Sequence, residues 1–347
     1  LWLTHVTTNE KRNKMGVRLQ LDDVFELAKA CFLASGCDEA NARAVARTVT
    51  NAERDQCLSH GLFRVPGYCS SIASGVANGK GRPTVETLAP GLLQVDGDGA
   101  MAPLAIQIAQ ETLVPVAKAQ GIAAVAIHDV LHLSALWPEV EPLAEQGLVA
   151  MACCVAGPYV APAGGTKPLF GTNPFSFAWP RPDGPPMVFD QASSAMARGE
   201  VQIAMREGHD VPPGTGVDKE GNPTTDPAAI LEGAQLTFGG YKGASIALMV
   251  ELLAGALVGG KFSYETTVQT HGGPTLGRHS EIIIAIDPAG FGGGDYRSRG
   301  EELFAKILEQ DGTRLPGGRR FKARVATASE GVEVADTLYE SLLELKG

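Results

Sequence analysis

The sequence predicts a mixed α/β chain whose strands are covered by helices, and three observations predict it. Apolar runs of strand length, LLQV (92–95), IAAVAI (122–127) and LVAMACCV (148–155), alternate with longer segments of helical spacing. The last two lack polar alternation, as strands do when both faces are buried. Of the 347 residues, 44% are apolar and 20% charged, an ordinary globular composition with room for one large or two medium domains.

The elements follow in order. Residues 1–14 (LWLTHVTTNEKRNK) contain no secretory apolar core and read as an upstream extension, disordered or vector-derived. Across 21–35, Val24, Leu27, Ala28 and Cys31 fall on one helical face, and Gly36 suits the residue after its end. Asp38 caps a second helix bearing Ala42, Val45, Ala46, Val49 and Ala52. Pro66 and Gly67 close the structure around SHGLFRVPGY. A helix is expected over 103–119, with Pro103 in its first turn and Gly121 beyond its end. LSALWPEVEPLAEQG (133–147) is a helix, and MVFD (187–190) is a strand leading into a helix in SSAMARGEVQIAMREG (193–208). Residues 208–228 are polar and turn-rich, a long ordered loop. An apolar helix over 241–258, a strand EIIIAID (281–287), a helix after FGGGDYRSRGEEL and a closing amphipathic helix at 331–345 complete the chain. No repeat is found.

A net charge of −10 argues against nucleic-acid and anionic-membrane partners, which reward basic surfaces. An anionic ligand therefore needs a few locally placed Arg or Lys residues. The six cysteines form no CxxC pair and show no zinc spacing, so no metal is expected and they read as reduced thiols of a cytoplasmic protein. No run is long enough to span a membrane.

Several clusters carry possible chemistry. His60 in Ser59-His60-Gly61 has an imidazole suited to acid–base work, although a structural histidine fits the same signal. Arg64, four residues on, can share a pocket with it and grip a carboxylate through two parallel bonds. His132 follows a buried strand, where ligands often bind, or it is a satisfied interior residue. Gly171-Thr172-Asn173-Pro174 is a turn by composition. Asp190 ends a strand, where it can orient an imidazole or simply cap a helix. Lys242-Gly243 opens a helix, and Arg297 and Arg299 follow a glycine-rich loop; both settings suit a phosphate, and arginine at a ribose would favour NADP. Gly97-Asp98-Gly99-Ala100-Met101-Ala102 matches the dinucleotide pattern G-x-G-x-x-A. Asp96 and Asp98 put carboxylates where a pyrophosphate would sit, so it reads as a tight turn.

Taken in order, SHGLFRVPGY (59–68), SSIASG (70–75), HLSALWPEVEPLAEQGLVA (132–150), PLFGTNPFSFAWPR (168–181), VFDQASSAMARGEVQIAMREG (188–208), FGGYKG (238–243), SRGEEL (298–303) and RLPGGRR (314–320) resemble the malate/L-lactate/L-sulfolactate dehydrogenase family of non-Rossmann type. Within it they look closest to the Δ1-piperideine-2-carboxylate/Δ1-pyrroline-2-carboxylate reductases, on the strength of ALWPEVEP. The resemblance implies an α+β (α/β mixed) homodimer. A helical substrate and dimer domain (15–90, with 300–347 packing back) would join an NAD(P)-binding domain (91–299) built on a largely antiparallel sheet. It implies an NADP(H)-dependent reductase of cyclic 2-imino carboxylates, with NAD possible; the alternatives are a malate/lactate-type 2-hydroxy acid dehydrogenase and an inactive dinucleotide-binding relative. Ser59, His60 and Asp190 would form the proton relay. Arg64, His132 and Thr172 would bind substrate. His132, Leu133, Ser134, Ala135, Leu136, Asp190, Gln191, Ala192, Lys242, Gly243, Asp295, Tyr296, Arg297, Ser298 and Arg299 would bind the cofactor. Tyr241 and Leu131 depart from residues common in the family.

Overall fold

The computed structural model describes residues 16–132, 134–270, 273–291 and 295–347. Residues 1–14, the upstream extension of the sequence reading, lie outside them. Strand β1 (Gly16–Leu19) precedes helices α1 (Leu21–Ala34), α2 (Glu39–Arg54) and α3 (Val65–Ala73). Asp38 caps α2 by accepting from the Asn41 amide, as expected. Then come β2 (Thr84–Ala89), β3 (Leu92–Asp96), α4 (Ala102–Gln120), β4 (Ile122–Val130), α5 (Trp137–Glu145), β5 (Val149–Cys154), β6 (Phe175–Trp179) and β7 (Met187–Gln191). A smaller region holds α6 (Arg198–Glu207), β8 (Gly216–Val217), β9 (Pro223–Thr224), α7 (Pro227–Glu232), β10 (Ala234–Gln235) and α8 (Tyr241–Val250). The chain continues through the hairpin β11 (Thr267–Thr270) and β12 (Gly273–Leu276) to β13 (His279–Ile286). It ends in α9 (Tyr296–Leu308), α10 (Gly318–Glu330), β14 (Val332–Ala335) and α11 (Asp336–Lys346).

Seven strands form the main sheet in the order β2-β3-β4-β13-β5-β6-β7. Every neighbouring pair is antiparallel except β3 and β4, which are parallel and joined through α4. Successive β13 side chains face opposite sides. Ile283 and Ala285 enter the core beneath α4 and α5, and Ile282 packs with Val250 and Ala254 beneath α8 and its continuation. This double coverage explains the unbroken apolar run of that strand. A second core joins α1, α2, α3 and α11, and β1 pairs antiparallel with β14.

Four expectations need correction. Strand β2 belongs to the main sheet, so the helical region stops short of residue 90. The closing helix expected over 331–345 starts as β14, because Val332 and Val334 alternate inward toward the helical core. The long loop of 208–228 includes β8 and β9. The apolar helix expected to 258 changes to a π-helical turn at Glu251–Ala256. Ile283 is fully buried at the centre of the sheet. Ile283→Ala is expected to cost about 2–5 kcal/mol, read from the midpoint of urea unfolding; a loss under about 1 kcal/mol would show that this core relaxes around the cavity.

Candidate active site

Ser59 and His60 stand on a 3-10 turn (Leu58–His60), and a second turn (Leu62–Arg64) leads into α3. Glu53 of α2 sets their position. Its carboxylate accepts the Leu62 amide at 2.7 Å, and a Cβ on Gly61 would lie 2.1 Å from Glu53 Oε1. Burial pushes the Glu53 carboxyl up to about 7, against the opposing pull of the Leu62 amide. Ser59 Oγ lies 3.0 Å from His60 Nδ1. Arg64 Nε donates to the Ser59 carbonyl at 2.7 Å, and Nη1 donates to Gln202 Oε1 at 3.2 Å. Helix α6 comes so close that a Cβ at Gly199 would meet Arg64 Nη2 at 2.6 Å and Ser59 Cβ at 3.0 Å. The next residue back, Arg198, lies 3.8 Å over the Tyr159 ring. Burial lowers its proton affinity, Tyr159 opposes, and the like charge of Arg64 adds to the lowering. Among the described residues neither Arg64 nor Arg198 has an acidic partner. His60 is pushed down to about 3, first by burial and then by Arg64 and His132.

Asp190 lies near the end of β7. Its Oδ2 accepts the amides of Leu136 at 2.7 Å and Trp137 at 3.2 Å, the first free donors of α5. Burial raises its proton affinity, while the Leu136 amide and the Arg320 charge oppose. The relay expected of Ser59, His60 and Asp190 is therefore bonded in its first link, and the hydrogen bonds on Asp190 come from backbone amides instead of an imidazole. Thr172 joins this region through its carbonyl, which accepts the Ser193 amide at 2.7 Å, just beyond Gln191 and Ala192. Asn173 anchors the turn. Its Nδ2 donates to the Ala247 carbonyl at 3.1 Å and to Glu251 Oε1 at 2.8 Å. Its Oδ1 accepts from the Ala156 amide and from Ser263 Oγ, both at 3.2 Å.

His132 is buried. Its Nε2 lies 2.8 Å from Glu139 Oε1 and 3.8 Å from Glu281 Oε2, and its Nδ1 lies 4.0 Å from Cys154 Sγ. Both ring nitrogens thus face buried side chains of the interior. Leu133 lies outside the described residues. Ser134 is half-buried, Ala135 and Leu136 are buried, and the Leu136 amide is occupied by Asp190. Lys242 is exposed, whereas Gly243 is packed so that a Cβ would lie 2.3 Å from the Phe238 carbonyl oxygen. Tyr241 is exposed and Leu131 belongs to the helical core.

The stretch Asp295–Arg299 is not brought to the relay. Asp295 caps α9 through the Ser298 amide, and Tyr296 meets Trp179 edge-on. Arg297 bonds the Tyr296 hydroxyl, and Arg299 pairs with Glu302. Trp179 pairs with Met187 at the far end of the β6–β7 hairpin from Asp190. Residues 292–294 lie outside the described residues. In the G-x-G-x-x-A turn, the amides of Gly97, Gly99 and Ala100 bond to carbonyls of His128, Asp129 and Gly97. Those donors are spent within the fold, so the turn has the tight-turn role expected of it.

Sequence reasoning missed Glu53, Arg198, Glu139, Glu281 and Arg320. Arg320 stacks over Trp137, donates to the Val188 carbonyl and leaves its Nε buried without a partner. A charged residue at the head of the apolar run EIIIAI was a usable signal for Glu281. No helix among the described residues is long and apolar enough to cross a membrane.

Comparison with known proteins accords with this geometry. The malate/L-lactate dehydrogenase family matches residues 19–343. A Δ1-pyrroline-2-carboxylate/Δ1-piperideine-2-carboxylate reductase of Pseudomonas aeruginosa is 47% identical over 95% of this chain and 99% of its own. A Δ1-pyrroline-2-carboxylate reductase of Ancylobacter novellus is also 47% identical, over 95% and 97%. The crystal structure of Δ1-piperideine-2-carboxylate reductase from Pseudomonas syringae superposes with a TM-score of 0.91 at 42% identity, covering 95% of this chain and 99% of that one. The chain belongs to the malate/L-lactate dehydrogenase family and is an oxidoreductase.

Proposed function

We propose that the chain is an NADPH-dependent reductase of cyclic 2-imino carboxylates, converting Δ1-pyrroline-2-carboxylate or Δ1-piperideine-2-carboxylate to proline or pipecolate. The observation that carries this reading is the pair of guanidiniums without acidic partners, Arg64 and Arg198, beside the Ser59–His60 pair. Two uncompensated cations at a half-buried position favour an anion, and a substrate carboxylate is the matching group. The names of the relatives supply the cyclic imine. A cytoplasmic homodimer is part of the same reading.

The residues present fit a dinucleotide. The unpartnered Arg320 Nε and the exposed Lys242 ammonium are donors suited to phosphate. When bound, the cofactor supplies the hydride that adds to C2. The protein supplies orientation and a proton. Arg64 holds the carboxylate and so places the C=N carbon. In the free enzyme His60 is neutral, held so by burial and by the Arg64 charge. A carboxylate on Arg64 cancels that charge and raises the proton affinity of His60, which readies the Ser59–His60 pair to protonate the substrate nitrogen.

The first test measures NADPH and NADH oxidation with both cyclic imines, pyruvate and oxaloacetate. Turnover is expected with NADPH and the imines, and turnover with the keto acids alone would replace this substrate by a 2-hydroxy acid. His60→Ala is expected to lower kcat by about 10²–10⁴ with the fold retained on circular dichroism. Near-normal turnover would remove His60 from the relay. Gly199→Ala pushes the Arg64 guanidinium aside and is expected to raise KM about tenfold or more with a smaller change in kcat. An unaltered KM would show that Arg64 does not hold the carboxylate.

A further inference from the structure

A group of buried ionisable side chains lies behind Asp190. His132 follows β4, Glu139 sits in the first turn of α5, Cys154 ends β5, and His279 and Glu281 open β13. Their geometry is uneven. His132 and Glu139 form a close pair at 2.8 Å, whereas Glu281 stands 3.8 Å from His132 Nε2. Both Glu281 oxygens are buried without a hydrogen-bond partner, as is Glu139 Oε2. Among the described residues, neither glutamate pairs with a lysine or arginine.

The charge count decides the protonation state. His132 supplies at most one positive charge, and Glu139 takes its close contact. A second carboxylate in this dry space would face Glu139 and the Cys154 sulfur with no cation of its own. Such a group keeps its proton, and the proton also gives it a donor. We infer that Glu281 works as a neutral carboxylic acid, a positioning residue that keeps an unpaired negative charge out of the dry space beside the His132–Glu139 pair behind Asp190.

The role is exerted at a distance. His132 begins the turn that ends in the Leu136 and Trp137 amides, and those amides hold Asp190. Glu139 lies two residues further along the same helix. A charge on Glu281 would stand unpaired beside Glu139 in this dry space and disturb the seat of Asp190. Burial and then Glu139 push the Glu281 carboxyl up to about 8, against the opposing effect of His132. The other facing groups offer no compensating charge: burial lowers His132 against the opposing pull of Glu281 and Asp190, burial and then Asp190 hold the Glu139 carboxyl well above its usual range, burial and then His132 push His279 down to about 4, and burial and then Glu281 hold the Cys154 thiol well above its usual range. An unfolded carboxyl ionises at far lower pH. The contribution of Glu281 to folding is therefore present at acid pH and is lost as pH rises through about 8.

This inference rests on the reading of Asp190 as part of the relay, and its test separates the two. Glu281→Gln keeps the shape and a donor but cannot ionise. The variant is expected to hold kcat/KM within about twofold of the native enzyme at pH 7, and to lose or shift upward the alkaline fall in rate. Its melting temperature is expected to gain on the native value as pH rises. The infrared spectrum of the native protein should show a protonated carboxylic C=O band that fades through about pH 8 and is absent from the variant. These spectroscopic and thermal readouts need no substrate, so they stand even if the imines prove to be the wrong substrates or His60→Ala stays active. A fall in kcat/KM of about tenfold or more at pH 7 with the fold intact would overturn the inference, since it would mean that the ionised carboxylate is required. So would the absence of the band, or an equimolar divalent cation found by elemental analysis of the native protein and held by His132, Glu139 and Glu281, whose donor atoms lie within 4.8 Å of one another.

Discussion

The carboxylate of Asp190 at the amino end of α5 is the contact on which the site depends. Strand β7 is the outermost strand of the sheet and is bonded on one side to β6. Helix α5 begins with free amides that need acceptors. Asp190 answers both needs, because one side chain caps the helix and ties the sheet edge to it. Hydrogen bonds to a charged group contribute about 1.5–3 kcal/mol each, more than neutral ones. The same contact holds the turn that follows His132, and two residues beyond Gln191 the Ser193 amide reaches the Thr172 carbonyl.

Around that anchor, close backbone approach does work that bulky side chains could not. Gly61 rests on the Glu53 carboxylate, and Gly199 rests on Arg64 and Ser59. A side chain at either position would push the reactive groups apart. Asn173 locks the other side by using all of its amide hydrogen-bonding capacity, which joins the Thr172 turn to α8 and to the π-helical turn that follows. The site is thus framed by α2, α5, α6, β7 and α8, elements widely separated in sequence.

Much of this was legible from residues in order. Strands β4, β5 and β13 announced themselves as apolar runs, and α1 and α2 by spacing and by the Asp38 cap. Ser59, His60 and Arg64 were singled out from a short local motif, and the structure sets Ser59 against His60 and leaves Arg64 without an acidic partner among the described residues. Strand β2 escaped because five of its six residues are exposed and carry no apolar alternation. Helix α10 was passed over, since its inward residues are few and its face toward α2 is polar. There Arg324 pairs with Asp55 and Glu141. The neighbours of His132 were illegible for another reason. Glu139 and Glu281 reach it from a helix and from a strand 142 positions apart, and no spacing rule encodes such a meeting. In the 295–299 stretch, the basic residues after a glycine-rich loop find partners within α9, Arg297 on Tyr296 and Arg299 on Glu302.

The pairing of β1 with β14 bears on how the molecule is made. Strand β1 and helix α1 leave the ribosome before the main sheet, whereas their partners β14 and α11 follow it. The main sheet lies wholly between them and can assemble while translation continues. The helical region that carries Ser59 and His60 keeps an open apolar face until residues 332–346 emerge. During that interval the helical region depends on chaperones or on speed, and a ribosome stalled late would hold a chain with a finished sheet and an unfinished helical core.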